Sequence, residues 1–305
     1  MDTKFTKPKA FGEILDHTFS LSKNHFKELF LILLIFMGPI ILLEAIIQLA
    51  SGTSFFREIG NGSGDWFTKT LSNFEVTGTY DSSGLGFDIG LILTGFLSFL
   101  FMPIAEAAIL FSIHHIRCGE EFTVGAVIKQ AFSRFWPILG SSILFGLISC
   151  AIVLIPIAII AVIGGVMATL VNPIVGILLG IVLFLGAAIG IGLLLTRWSF
   201  YFGSVVLDRE SPGFGKSWRL SKKQSWVLMG LYIVFYLIIS SISFAVELTF
   251  TALLGNSVLL TMISNIVSLF TTLIFAVGYG VMYLDLKIRN DADDLKEMIA
   301  DYETI

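Results

Sequence analysis

The stretch SPGFGKSWRLSKKQSWVLMGLYIVFYLI, residues 211–238, begins as a basic amphipathic segment and continues as an apolar run. Together with two similar stretches, 11–36 and 122–148, it divides the chain into thirds. Such a pattern is typical of a helix that lies in the headgroup region before the chain crosses a membrane. Each stretch carries a Ser-Lys or Ser-Arg step followed closely by aromatic residues: Ser22, Lys23 and Phe26; Ser133, Arg134, Phe135 and Trp136; Ser221, Lys222 and Trp226.

The composition is that of a membrane protein. Hydrophobic residues make up 55% of the 305 residues and charged residues 14%, whereas soluble domains contain about 25% charged residues. The mean hydropathy is +0.89, which excludes an ordinary soluble domain. The two cysteines, Cys118 and Cys150, fall in a predicted cytoplasmic loop and in an apolar run, so no disulfide framework is predicted.

Six apolar runs are long enough to cross a bilayer, which takes about 20 residues. The first run is longer than the apolar part of a signal peptide and five more follow, so we expect it to be retained as a span. The fold class is therefore all-α integral membrane. The six predicted spans are about 29–50, 89–113, 137–170, 174–206, 226–254 and 258–284.

The basic residues indicate the side on which the termini lie. Of the 19 Lys and Arg residues, only Arg57 and Lys69 lie between the first and second spans. Lys and Arg are enriched in short cytoplasmic loops, and the other basic residues lie in the lead, the 117–134 and 209–223 loops, the tail, or the inner half of a span. We therefore predict a multi-pass protein of a bacterial plasma membrane, with both termini cytoplasmic and an outer loop at 51–88.

The recurring stretches predict three parallel repeats within a single membrane domain, 1–305. Each repeat is an interfacial helix followed by a helical hairpin. Because the copies share one orientation, they differ from the inverted repeats of many transporters. The interfacial helices either lie among lipid headgroups or pack against the cytoplasmic face of the protein itself. The predicted boundaries are 10–115 for repeat one, 122–208 for repeat two, 211–288 for repeat three and 289–305 for a cytoplasmic tail.

Four ionisable residues within the spans are candidate site residues, since a charge at the bilayer centre costs about 2.5 kcal/mol or more. Glu106 and Arg197 lie at similar predicted depths, so we expect them to pair between repeats. The pair would either line a polar path or fix helix packing. Glu44 and Glu247 occupy the outer thirds of the first and fifth spans, where they either bind a cation or proton or reach the outer interface.

Small and imide residues within the spans predict packing features. In the fourth span Gly176 and Gly180, and then Gly186 and Gly190, keep the spacing that lets helices approach closely. Proline within a span removes a backbone hydrogen bond and bends the helix. We expect bends at Pro39, Pro103 and Pro156.

Two motifs superficially resemble ligand sites. His114, His115 and Cys118 are metal-ligating types, but adjacent histidines on a helix point about 100° apart, so one helix cannot readily offer both to one ion. The sequence GNGSG at 60–64 resembles a phosphate loop, yet no Lys follows it. We read this segment as a flexible loop and predict no metal and no cofactor.

Two segments resemble a known family. VVLDRESPGFGKSWRLSKKQSWVLMG, residues 205–230, and YLDLKIRNDADDLKEMI, residues 283–299, are similar to the bacterial membrane proteins grouped as the glycerophosphoryl diester phosphodiesterase membrane domain family. The resemblance covers most of the chain apart from the outer loop. That family is named after fusion to a catalytic barrel, which this sequence does not contain. The resemblance therefore implies a membrane architecture and does not imply phosphodiesterase activity.

No nucleophile with a base and no metal set can be assembled from the predicted cytoplasmic loops, so we expect a protein that is not an enzyme. The leading hypothesis is a scaffold or accessory subunit for a membrane transport or envelope-assembly system. Its expected partners are anionic lipids at the cytoplasmic face and a membrane protein, and not nucleic acid. The alternative is a transporter or lipid-handling protein with a path past Glu106 and Arg197. An immunity or membrane-stress protein is a third possibility.

Overall fold

The computed structural model describes residues 7–56, 84–170, 172–255 and 257–303, with the main chain alone for 84–86 and 291–303. These residues form ten α-helices and no strand. The predicted 60–64 loop and most of the 51–88 outer loop lie outside the described residues. The helices are α1 (Phe11–Asn24), α2 (Phe26–Ala50), α3 (Gly84–Cys118), α4 (Val124–Phe132), α5 (Phe135–Leu170), α6 (Pro173–Ser199), α7 (Tyr201–Val206), α8 (Phe214–Ser221), α9 (Ser225–Leu254) and α10 (Val258–Glu303).

Six helical segments are long and apolar enough to cross a membrane, which confirms the prediction of an all-α, six-span protein. The second and sixth spans end later than predicted. The last turns of these helices are polar, so they lay outside the apolar runs from which the spans were predicted. The spans are Phe26–Ala50, Phe87–Cys118, Phe135–Leu170, Pro173–Val206, Ser225–Leu254 and Val258–Asn290.

A short amphipathic helix precedes a long helix three times: α1 before α2, α4 before α5, and α8 before α9. Each short helix buries residues spaced by three or four, such as Val127 and Ala131 on α4. The breaks between short and long helices fall at the predicted Ser-Lys and Ser-Arg steps or within three residues of them. The element order matches the sequence pattern, and a parallel repeat in space stays a prediction.

The fourth span and the tail differ from the expected pattern. The fourth span divides into α6 and α7 at Phe200, although the sequence there contains no proline. The predicted tail, 289–305, is not separate from the sixth span, because α10 continues without a break from Val258 to Glu303. Pro39, Pro103 and Pro156 lie inside α2, α3 and α5, as expected.

The chain forms two compact units. Unit 1 comprises Gly12–Ser133 and Val234–Val281. Its core joins α2 to α3, and Gly280 of α10 approaches Ile113 so closely that an added Cβ would lie 2.6 Å from the Ile side chain. The segment after α2 closes one end of this unit, where the Ser54 carbonyl accepts a hydrogen bond from Val258 N at 3.1 Å.

Unit 2 comprises Asp2–Phe11, Arg134–Ile233 and Met282–Ile305. The hairpin of α5 and α6 packs tightly at Gly176, where an added Cβ would lie 2.5 Å from Ala168 N. Gly186 and Gly190, by contrast, have no such neighbour within 4 Å. The close approach predicted for the glycines of the fourth span therefore occurs at its beginning.

Candidate functional site

Asp208 is the centre of a cluster of charged residues at the end of α7, in unit 2. Its Oδ1 accepts a hydrogen bond from Lys287 Nζ at 2.5 Å, and its Oδ2 forms an ion pair with Lys216 Nζ at 3.0 Å. The hydroxyl of Tyr283 also donates to Oδ2. The Asp208 side chain is 8% exposed, so these three groups replace most of the water that a free carboxylate would bind.

Gly203, one turn earlier, allows this cluster to form. An added Cβ at Gly203 would collide with the ring of Tyr283. The missing side chain thus lets the Tyr283 ring lie against α7 and reach Asp208. A peripheral partner, Glu210, binds Lys216 at 3.1 Å but is 56% exposed.

The charges in the cluster shift each other's pKa values. Burial opposes ionisation of Asp208, but the hydrogen bonds from Lys287, Tyr283 and Lys216 outweigh it and hold the pKa of Asp208 below its usual 3.8. Burial disfavours the charged form of Lys216, and its bonds to Asp208 and Glu210 outweigh that effect, so the pKa of Lys216 is raised. Both groups are therefore ionised at neutral pH.

The loop that follows Asp208 is held from α5. Arg134 Nη1 donates to the carbonyl of Val206 at 3.1 Å, which satisfies a carbonyl at the end of α7. Ser141 and Ser211 share a hydrogen bond of 3.2 Å. Burial, and secondly the nearby charge of Arg209, lower the pKa of Arg134. Arg134 was predicted as an interfacial basic residue, and in the structure it binds the end of α7.

Asp285 forms a second clamp in unit 2. Its Oδ1 accepts from the backbone N of Lys9 at 2.7 Å, and its Oδ2 accepts from Arg289 Nε at 2.7 Å. Arg289 also donates to the Lys9 carbonyl. Asp285 is 3% exposed, so a buried carboxylate and its arginine fix the main chain that leads into α1.

Neither aspartate was predicted as a site residue, although the sequence contains a pattern that marks both. Asp208 follows Gly203 and Asp285 follows Gly280 by the same five residues, and Leu precedes each Asp. Both therefore end a returning span with the pattern Gly-Xaa-Xaa-Xaa-Leu-Asp. In this pattern the glycine lets a side chain of another helix approach closely. The aspartate five residues later is buried and pairs with basic residues.

Arg197, a predicted site residue, is bound within unit 2 by α8 and α9. Its Nε donates to Ser225 Oγ at 2.8 Å, and its guanidinium lies 4.7 Å from the centre of the Trp218 ring. Its carbonyl accepts from Ser217 at 2.6 Å and from Ser221 at 3.1 Å. The side chain and main chain of Arg197 thus join the end of α6 to the short helix α8.

The three acids predicted as site residues, Glu44, Glu106 and Glu247, lie in unit 1. Glu106 is half-buried, and no described residue of unit 1 forms a hydrogen bond or ion pair with it. Its pairing with Arg197, which lies in the other unit, stays a prediction. Glu44 accepts hydrogen bonds from Asn265 at 3.0 Å and Gln48 at 3.5 Å, whereas Glu247 is exposed. The two outer-side acids therefore have different surroundings.

The remaining predicted interfacial residues lie at the surfaces of their units. Lys23 and Lys222 are exposed. The exposed fractions of the aromatic residues are 36% for Phe26, 78% for Trp136 and 64% for Trp226. Large exposed aromatic side chains beside lysines suit the boundary between lipid tails and water.

The two histidines at the end of α3 contact nearby residues of the same segment. His115 Nδ1 lies 2.8 Å from Glu120 Oε2, and His114 Nδ1 lies 4.0 Å from Cys118 Sγ. Within the described ranges no group of three or more His, Cys, Asp or Glu side chains is placed to hold a metal ion.

Comparison of the chain with protein-family models, with curated proteins and with solved structures finds no match. The resemblance to the glycerophosphoryl diester phosphodiesterase membrane domain family stays a prediction. The geometry shows a multi-pass helical membrane protein in which buried aspartates clamp the ends of spans and exposed basic and aromatic residues surround the breaks between short and long helices.

Proposed function

We propose that the protein is a non-enzymatic scaffold or accessory subunit of a membrane transport or envelope-assembly system, held against anionic lipid at the cytoplasmic face of the plasma membrane. The observation that carries this proposal is the exposure of basic and aromatic residues where a short helix meets a span. Such a surface binds anionic headgroups through its cations and the bilayer boundary through its rings.

The charges at these breaks are sufficient for a substantial interaction. Each Lys or Arg near an anionic leaflet contributes about 1 kcal/mol. Five exposed cations lie on the short helices, in the breaks after them or in the first turn of α2, so the total reaches about 5 kcal/mol at low ionic strength. They are Lys23, Lys27, Lys129, Arg219 and Lys222.

The clamps divide the basic residues into two classes. Lys216, Lys287 and Arg289 are paired with three acids, Asp208, Glu210 and Asp285, so their contribution to lipid attraction is small. Their role is to hold segments together. The exposed class remains for external anions, and this division supports a membrane protein that presents basic residues to lipid at the breaks between short and long helices.

The test of the accessory role is mass spectrometry of the protein extracted gently from its native membrane, with co-purifying proteins and lipids measured together. We expect a membrane protein in fixed stoichiometry and enrichment of anionic lipid. A variant with Lys23 and Lys222 changed to Gln should retain less anionic lipid. Recovery of the protein alone with one enriched small molecule would contradict the accessory role and favour transport.

The alternative proposal, a transporter or lipid-handling protein, draws support from Glu106. A half-buried carboxylate in a span without a bonded partner in its own unit is typical of an ion or proton pathway. The test compares E106Q, R197M and the double variant. If the single variants lose stability and the double variant regains it, the residues form a structural pair. Transport is favoured if all three fold normally and lose an uptake or lipid-transfer activity.

A further inference from the structure

The guanidinium of Arg197 is held in one orientation. Ser217, Ser221 and Ser225 follow one another at four-residue spacing along α8 and the start of α9, so they line one face toward Arg197. Two of these hydroxyls bind its carbonyl and the third accepts from Nε. The Trp218 ring then lies against the guanidinium, with its centre 4.7 Å from Cζ. These contacts fix the guanidinium before any ligand binds.

The two outer nitrogens of this fixed guanidinium are not used within unit 2. No described residue of unit 2 accepts a hydrogen bond from Nη1 or Nη2, and no described acid of that unit forms an ion pair with Arg197. The side chain is half-buried within the candidate span Pro173–Val206. A partly desolvated cation is costly without an anion, so the site favours an anionic ligand.

We propose that Arg197 binds the phosphate of an anionic phospholipid headgroup, with Trp218 and Ser225 as its positioning residues. Two parallel N–H donors match two phosphate oxygens, and a planar guanidinium presents them better than a lysine does. This inference rests on the proposed lipid contact and identifies one specific site within it.

The aromatic rings beside the site suit a lipid headgroup. Trp218 is 36% exposed and Trp226 is 64% exposed, and such rings prefer the headgroup level of a bilayer. The acyl chains of a lipid whose phosphate binds there would lie along the exposed apolar surface of the same span.

The test measures lipid retention by native mass spectrometry of the detergent-purified chain, incubated with equal amounts of phosphatidylglycerol and phosphatidylcholine. We expect the wild-type protein to retain phosphatidylglycerol preferentially. R197Q should reduce this preference by about tenfold, as expected for the loss of hydrogen bonds from a charged donor. R209Q is the matched control, because Arg209 is an exposed arginine of unit 2 that is not among the cations assigned to the basic surface. Its preference should stay within about twofold of wild type.

A second variant, S225A, tests the site even if R197Q does not fold. S225A keeps the charge but removes the acceptor that orients Nε, and it should reduce the preference by about threefold. R197K, which keeps the charge without the two parallel donors, should recover only part of it. A full preference in S225A and R197K would overturn the role of the fixed guanidinium.

The outcomes separate the site from the general lipid contact. If the wild-type protein shows no preference for phosphatidylglycerol, both the site and the proposed lipid contact fail. If R197Q and R209Q reduce the preference equally, the positive charge of the protein attracts lipid as a whole and the specific site is wrong. Displacement of the lipid by millimolar inorganic phosphate would show that the ligand is free phosphate, which would also overturn the proposal.

Discussion

Replacing Asp208 by Asn should destabilise the protein by about 2 to 3 kcal/mol. Removing one partner of a buried ion pair costs about 3 to 5 kcal/mol, because it leaves an uncompensated charge. The lysines at Asp208 are only partly buried, with 17% of Lys216 and 33% of Lys287 exposed. Water can therefore solvate part of the uncompensated charge, which reduces the expected cost.

The assay is denaturation of the detergent-purified protein, followed by the intrinsic fluorescence of tryptophan. E210Q is the matched control, since Glu210 binds the same Lys216 at 3.1 Å but is 56% exposed. An exposed ion pair contributes about 0 to 1 kcal/mol, so E210Q should unfold close to the wild-type protein. Equal losses in D208N and E210Q would refute the conclusion that burial gives Asp208 its importance.

The pH dependence gives a second, independent readout. The folded-state pKa of Asp208 lies below its usual 3.8, so its contribution is fully present above the unfolded pKa. That contribution is lost as the pH falls through the folded pKa. The stability difference between wild type and D208N should therefore be constant from neutral pH down to about pH 5 and shrink below about pH 4. A difference that persists unchanged at low pH would contradict an electrostatic origin.

Substitution of glycines should test the close contacts in the same assay. G203A should cost about 1 to 3 kcal/mol because its Cβ meets the ring of Tyr283, whereas G215A, with no neighbour within 4 Å, should be neutral or stabilising. G176A should likewise destabilise the α5–α6 hairpin, while G186A should not. Equal effects within either pair would contradict the packing described for its first member.

The spans were predictable from sequence because long apolar runs have few alternatives in a chain of this composition. The breaks before α2, α5 and α9 were predictable too, since each amphipathic segment ends at a Ser-Lys or Ser-Arg step. The division of the fourth span at Phe200 was not, because no proline lies near it, and a polar residue such as Ser199 also occurs inside an unbroken helix, as Ser141 does in α5. The continuity of α10 could have been expected, as no glycine or proline separates the sixth span from the tail.

The charged contacts were the least predictable part of the site. A sequence shows that Asp208 lies at the end of a span, but its cations come from α8 and from α10, eight and 79 positions later. The pairing of Arg197 with Glu106 stays a prediction, and the partners that Arg197 has within unit 2, Ser225 and Trp218, were not predicted. Hydropathy locates a residue along the membrane normal, and it contains no information about which neighbouring helix faces that residue.

This distinction affects how basic residues are interpreted in such chains. The positive-inside rule counts every Lys and Arg alike, yet Lys216 and Lys222, six positions apart, meet different environments. Lys216 is 17% exposed and binds two acids, whereas Lys222 is exposed beside Trp226. The first stabilises the folded protein and the second remains for an anionic surface. Counting only the exposed class therefore gives a lower and more realistic attraction to lipid than the sequence total of 19, and it places that attraction at the three breaks before the spans.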